Sequence, residues 1–238
     1  MNGIINVNKP AGMSSNRCMQ IVKRRLGLGK VGFLGTLDPA ASGVLVLLCG
    51  TATRLADFLH GRAPHPDGKL INKEAGNRKT YRAGFTWGLE TTTLDSVGEV
   101  VATSDVIPTR AQVRAVLPSL VGDTEIEVPK FSAVHIGGRR AYDLARAGTD
   151  FTAPRRVVNI TRFELIECEG RDAPQKEFFF EIECQTGTYI RSLAKLLAQK
   201  LGTLAIASTI IRTRVGQFDI KDAKTPDEVT PDDIMPPV

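Results

Sequence analysis

The chain has 238 residues, 42% of them hydrophobic, a formal net charge of +5 and four cysteines. That is enough apolar material for one sizeable core without metal or disulfide staples, and no apolar run is long enough to span a membrane. The surplus of cations favours a polyanionic partner.

Cys18, Cys49, Cys168 and Cys184 show no metal or redox spacing, which points to thiols that pack in a reducing compartment. His60, His65 and His135 are too scattered for a zinc site, so no metal is expected. The N-terminus carries no signal or transit pattern, and a cytoplasmic protein is expected.

Residues 3–7 read as a first strand. After the Lys9-Pro10-Ala11-Gly12 turn, Ser14 or Ser15 can cap a helix running to Leu26 and stopped by Gly27. Met19, Val22 and Leu26 form its apolar face, and Lys23, Arg24 and Arg25 crowd its exposed end. Gly27-Leu28-Gly29-Lys30-Val31-Gly32 matches G-x-G-x-x-G. A dinucleotide fingerprint must follow a strand and open a helix, whereas these glycines close one, so no nucleotide cofactor is expected. Residues 44–49 read as a buried strand, and Thr51 can cap a second helix with Ala52, Leu55, Ala56 and Leu59 as its stripe. Residues 61–78 form a long polar loop, either solvated or in contact with phosphates.

Residues 80–88 alternate, with Tyr81, Ala83, Phe85 and Trp87 on one face, and 98–102 is the candidate partner strand. Thr109 and Gln112 fit a capping box for a helix that buries Val113, Val116, Leu117 and Leu120. A Gly137-Gly138 turn and a short helix ending at Gly148 follow. They carry Arg139, Arg140 and Arg146, with Arg155 and Arg156 beyond. With Phe131 and Tyr142 interleaved, this segment is either a nucleic-acid grip or a solvated basic face. Strands at 157–168 and 177–184 come next. Gly187-Thr188-Tyr189 leads into a helix with Ile190, Leu193, Ala194 and Leu197 inward and Gly202 as its stop. Residues 210–218 precede an acidic tail in which Thr225-Pro226 is a helix start. Strands and helices mix without a βαβ rhythm. The expected class is α+β, a large mixed, mostly antiparallel sheet flanked by helices.

Three polar residues stand where strands meet loops or helices. Asp38 lies in the glycine-rich loop before the 44–49 strand, where Asp-Pro alone reads as an ordinary turn. Tyr81 lies early in an alternating strand, and Arg191 occupies the first turn of a helix. A cation there opposes the helix dipole and calls for a carboxylate partner, and Glu183 is one local choice.

Gly35-Thr36-Leu37-Asp38-Pro39 with Ala41, Gly43 and Leu45 resembles the catalytic motif of the TruB family of tRNA pseudouridine-55 synthases. Further segments match in family order. They are Asn8-Lys9-Pro10 with Ser14-Ser15, then Lys79-Thr80-Tyr81 with Thr93, Asp95 and Gly98, and then Pro129, Ser132 and Arg140-Ala141-Tyr142. Gly187-Thr188-Tyr189-Ile190-Arg191 and Arg212-Thr213-Arg214 complete the series. The resemblance implies the pseudouridine synthase fold and cofactor-free isomerisation of one flipped-out uridine in the T-arm of tRNA. It implies Asp38 as nucleophile, through addition to base or sugar or through a glycal-type intermediate, with Arg191 as its paired cation. It further implies Tyr81 as the stacking tyrosine and a general base at the sugar, and Tyr189 as a contact to the flipped nucleotide. By the same resemblance Ile210 is expected to pack near the base, and Lys9 and Asp95 to join the substrate contacts. The competing readings are an RNA-binding or RNA-folding protein without chemistry, and a synthase acting on another RNA.

Two departures stand out. Phe33 occupies the place of the family's usual histidine, so stacking is kept without the hydrogen-bonding nitrogen. About twenty residues follow Phe218, too few for the PUA-type RNA-binding domain that many members append. The expected organisation is one catalytic domain over 1–238, with a loop at 61–78, an RNA-gripping segment at 129–156 and a tail at 219–238. It is expected to work as a monomer.

Overall fold

A computed structural model describes residues 1–59, 78–166 and 175–236. Its early elements are β1 (Gly3–Lys9), α1 (Ser15–Arg25), β2 (Val31–Leu34), β3 (Ser42–Cys49), α2 (Ala56–Leu59) and β4 (Arg78–Trp87). Next come β5 (Leu89–Thr91), β6 (Val100–Thr103), α3 (Arg110–Val116), β7 (Gly122–Glu127), β8 (His135–Ile136), β9 (Arg139–Arg140) and α4 (Ala141–Arg146). The last are β10 (Arg155–Leu165), β11 (Glu177–Gln185), α5 (Ile190–Lys200), β12 (Ala205–Val215) and β13 (Phe218–Asp219). The loop expected at 61–78 and Cys168 fall outside the described residues, apart from Arg78, which opens β4. The chain divides into two units: residues 1–82 with 210–238, and residues 83–209.

The first unit is built on β3, whose run Ser-Gly-Val-Leu-Val-Leu-Leu-Cys is buried almost throughout. Antiparallel β1 pairs with it from Lys9↔Gly43 to Gly3↔Cys49, and β2 from Leu34↔Val46 to Val31↔Cys49. The C-terminal part of β12 joins it in parallel at Ile211↔Ser42 and Arg212↔Gly43. Ile4, Leu34, Val44, Val46, Leu48, Val215 and Phe218 form an apolar cluster, with Ala56, Leu59 and Ile220 packed on it. Helix α1 starts as expected: Ser14 accepts the Arg17 amide, Cys18, Met19 and Val22 are buried, and three cations occupy the last turn. Gly27 then turns the chain at φ +59°. That left-handed angle suits glycine and ends the helix. The glycine run is thereby a helix stop.

Two expected helices differ here. Residues 50–55 wind as a 3₁₀ turn without a side-chain cap, and only Ala56–Leu59 is α-helical. The turn starts earlier, with Cys49 at its N-cap, so Thr51 lies inside it, and Asn2 Oδ1 accepts the Thr51 amide at 2.9 Å. At the C-terminus, Glu228 accepts from the Thr225 amide and hydroxyl, yet residues 226–228 form a lone turn. The local cap is made, but Pro231 follows and biases Thr230 away from the helical region, so one turn cannot propagate. The tail instead straps β1: the Ile4 amide donates to the Met235 carbonyl, and the Asn8 amide to that of Lys224.

In the second unit the strand order is β12-β4-β11-β10-β7. Inward-facing alternation brings Phe85 against Phe180 at 4.8 Å between ring centroids, with Phe163 edge-on to both. The expected partnership of 80–88 with 98–102 does not form. Gly88, at φ +85°, turns the chain out of β4, and β6 pairs with β5 in a separate hairpin. Thr109 and Gln112 complete the capping box of α3. Helix α5 buries Ile190, Leu193, Ala194 and Leu197 as its periodicity predicts. The α+β class with a mainly antiparallel sheet is what the fold shows.

Candidate functional site

Asp38 is half-buried in the loop joining β2 to β3. Its carbonyl accepts the Ala41 amide at 3.1 Å, as the Asp-Pro turn requires. What separates this turn from an ordinary one is the scaffold around it. Ser15, buried at the start of α1, uses one hydroxyl twice on Leu37: it accepts the Leu37 amide at 2.8 Å and donates to the Leu37 carbonyl at 2.9 Å. On the other side, the fully buried Lys9 ammonium donates to the carbonyls of Pro10, Met13, Pro39 and Ala41. It ties the turn before α1 to the residues following Asp38. Burial lowers the Lys9 pKa from its ordinary 10.5 to about 8, while the nearby Asp38 charge opposes that shift. Burial likewise pushes Cys18 up to about 11, so that thiol packs as a neutral group.

A second buried cation closes the loop. Arg212 donates from Nε to the Val44 carbonyl at 2.8 Å and from Nη2 to the Gly35 carbonyl at 2.9 Å. Gly35, at φ +65°, is constrained twice: a Cβ there would lie 2.3 Å from Lys79 Nζ. Tyr81 is 6% exposed on β4 and Ile210 is buried on β12. Phe33 lies half-buried on β2, opposite Leu47. Lys9 was expected to contact substrate; in this structure its side chain has no exposed surface and is bonded to four carbonyls that flank the loop.

The second unit holds the remaining candidates. Arg191, in the first turn of α5, is 3% exposed, so it is no surface partner of Glu183. Its guanidinium donates to the Thr93 carbonyl at 2.7 Å and the Phe131 carbonyl at 3.0 Å, and Nε lies 4.0 Å from Asp95 Oδ2. Asp95 is buried. Its Oδ1 accepts from the Thr93 hydroxyl and the Val97 amide, in a turn where Leu94 takes φ +60°. Asp95 too was expected to touch substrate. In this structure its carboxylate forms a turn through Oδ1 and neighbours Arg191 through Oδ2. Gly98 permits that turn, since a Cβ would meet the Thr93 hydroxyl at 2.4 Å. Tyr189 is half-buried at the N-cap of α5.

The 129–156 segment is built for solvent. Strands β8 and β9 form a hairpin over Gly137-Gly138, both at positive φ, and leave Arg139 and Arg140 exposed. Tyr142 stands edge-on to Phe131 at 6.3 Å, with the Arg146 guanidinium 4.7 Å over its ring. A nearby cavity of about 480 Å³ has a balanced lining by contrast, with Lys195 3.7 Å from Glu90 and Arg155 2.9 Å from Glu125. The arginine surface is the one suited to a polyanion. Among the described residues no cluster of three or more metal-ligating side chains occurs, and no helix is long and apolar enough to cross a membrane.

Arg212, Lys79 and Ser15 were not singled out by sequence reasoning beyond their motifs. A signal was available for Arg212: it shares the strand face of Ile210, where alternation places a buried residue, and a buried cation requires partners.

Residues 23–64 and 66–190 match the family model described as TruB family pseudouridylate synthase (N terminal domain). A tRNA pseudouridine synthase B of Geobacillus thermodenitrificans (strain NG80-2) is 40% identical over 232 residues, 96% of this chain and 72% of the relative. The protein of that name from Geobacillus kaustophilus (strain HTA426) is 40% identical over 96% of this chain and 76% of its own length. Among solved structures, a chain of a Cbf5-Nop10-Gar1 complex superposes with a TM-score of 0.65 at 27% identity. The match covers 94% of this chain and 52% of that one, so this chain spans about half the solved protein.

Proposed function

The chain belongs to the TruB family of pseudouridylate synthases, and on that premise we propose that it isomerises uridine 55 in the T-arm of tRNA to pseudouridine. The N-glycosidic bond breaks, the base turns, and a carbon–carbon glycosidic bond forms. Substrate and product are isomers, so no co-reactant is consumed. Asp38 is the nucleophile, a role that needs its ionised carboxylate. Arg191 supplies the cation that pairs with it in the family pattern. The target base must leave its stack to be reached. Tyr81 stacks on it and serves as base at the sugar, Tyr189 contacts the extruded nucleotide, and Phe33 and Ile210 contribute apolar surface. Arg139, Arg140 and Arg146 grip phosphates, with Tyr142 as a stacking platform. We place the whole process in one catalytic domain, working as a monomer in the cytoplasm.

The observation that carries this reading is the scaffold of the Asp38 loop. A surface turn does not require a buried serine, a buried lysine and a buried arginine on its backbone, whereas a nucleophile held in one geometry does. The test is incubation of the pure protein with an unmodified tRNA transcript and mapping of pseudouridine at single-nucleotide resolution. Product at position 55 is expected. Binding without product would replace the reading with a non-catalytic RNA-binding role, and product only at other uridines would redirect it to another RNA.

A further inference from the structure

We propose that Arg212 is a positioning residue of the isomerisation, holding the Asp38 loop at both ends from inside the protein. Its place in the fold excludes a direct role, since it has no exposed surface and cannot touch RNA. Its two donors instead reach the carbonyl of Gly35, three residues before Asp38, and that of Val44, six residues after it. Ser15 and Lys9 hold the loop between those points. Glycines bring the backbones close together here. Gly43 at φ +104° lets β12 approach so closely that a Cβ would lie 2.2 Å from the Arg212 carbonyl. At Gly35 a Cβ would crowd Lys79 Nζ at 2.3 Å, while Arg212 Nη1 at 3.6 Å is in ordinary contact range.

The charge itself argues against a purely architectural part. A buried guanidinium is a costly way to tie two carbonyls together, and well-packed apolar residues serve structure as well or better. Arg212 also keeps Nη1 buried without a hydrogen-bond partner, beside the Gly35 turn. Its charge is felt at Lys9, as is that of Asp38, so the three groups share one electrostatic neighbourhood. A guanidinium fixed there holds the loop's carbonyls and adds positive potential close to the proposed nucleophile.

This inference rests on Asp38 being the nucleophile, so Asp38→Asn is run beside the Arg212 variants. The measurement is the single-turnover rate constant at saturating enzyme, with tRNA affinity and melting temperature recorded in parallel. Arg212→Met is expected to lower the rate constant by about 100-fold, the scale of a small misplacement of a reacting group, with tRNA affinity unchanged. Arg212→Lys should fall between, since one ammonium keeps the charge but replaces a planar fork. A wild-type rate constant in folded Arg212→Met, or a loss confined to tRNA affinity or to the fraction of active protein, would overturn the proposal. If the Met variant does not fold, Arg212→Lys decides: a wild-type rate constant there refutes it, and a reduced one with normal affinity sustains it. Turnover by Asp38→Asn would instead remove the premise.

Discussion

The Asp38 loop and the 129–156 segment are both rich in cations, and they use them in opposite ways. Around Asp38, Lys9 and Arg212 are withdrawn from water and bonded to carbonyls. In the 129–156 segment, Arg139, Arg140 and Arg146 face solvent, and Lys130 meets Asp150 at 3.3 Å with both side chains largely exposed. An exposed pair of that kind contributes little to stability, so the surface cations remain available to a partner. On the proposed reading, buried charge fixes geometry and exposed charge supplies affinity. The two regions should therefore fail differently when altered.

The largest effect is expected at the nucleophile. Asp38→Asn should bind tRNA normally and lose turnover by about 10⁴-fold or more, the scale seen when a member of a catalytic unit is removed. Residual turnover near wild type would break the contrast at its root. Lys9→Met comes next. It should lower the single-turnover rate by about 100-fold through a displaced loop, without weakening tRNA binding. A change in affinity alone would return Lys9 to the substrate contacts.

Lys9 also separates stability from activity by pH. Its folded pKa of about 8 lies below the ordinary 10.5, so between these values the unfolded chain holds the extra proton. Stability from this group therefore rises with pH across that window. Activity should fall over the same range, because a neutral amine has fewer donors for four carbonyls. Melting and rate profiles of the wild type, each compared with Lys9→Met, test the opposed slopes. Parallel slopes would contradict the clamp.

The surface region should show the reverse pattern. Replacing Arg139, Arg140 and Arg146 together by Ala should weaken tRNA binding while leaving the saturated single-turnover rate intact. The salt dependence of binding should flatten by about 0.7–0.9 in log–log slope for each phosphate that the variant no longer neutralises. An unaltered slope would show that these arginines do not meet the backbone. The smallest effect is expected at Phe33. Phe33→Ala should impair turnover more than Phe33→His, because only the latter keeps a stacking ring. Equal activities would remove Phe33 from the substrate contacts.

Much of the scaffold was legible from local chemistry. Ser14 as a cap, Gly27 and Gly202 as stops, the Thr109–Gln112 box and the inward face of α5 all follow from interactions within a few residues. Where a distant partner intervened, local reading failed. Asn2 took up the amide of Thr51 inside a turn whose N-cap is Cys49, and β5 took the strand assigned to β4. The site divides in the same way. Asp38, Tyr81, Tyr189, Arg191, Lys9 and Asp95 all stood out through motif resemblance, but the buried contacts of Lys9 and Asp95 did not, because a charge in a sequence does not declare whether it faces water.

The sequence by itself determined the family, the α+β class and the candidate residues, since these depend on residue type, spacing and periodicity. Only the tertiary structure decided what the buried charges do. Lys9 lies 30 positions or more from the Pro39 and Ala41 carbonyls it bridges, and Arg212 lies 177 from that of Gly35. Burial without solvent obliges each such cation to find fixed acceptors, and only the folded chain brings those acceptors within reach.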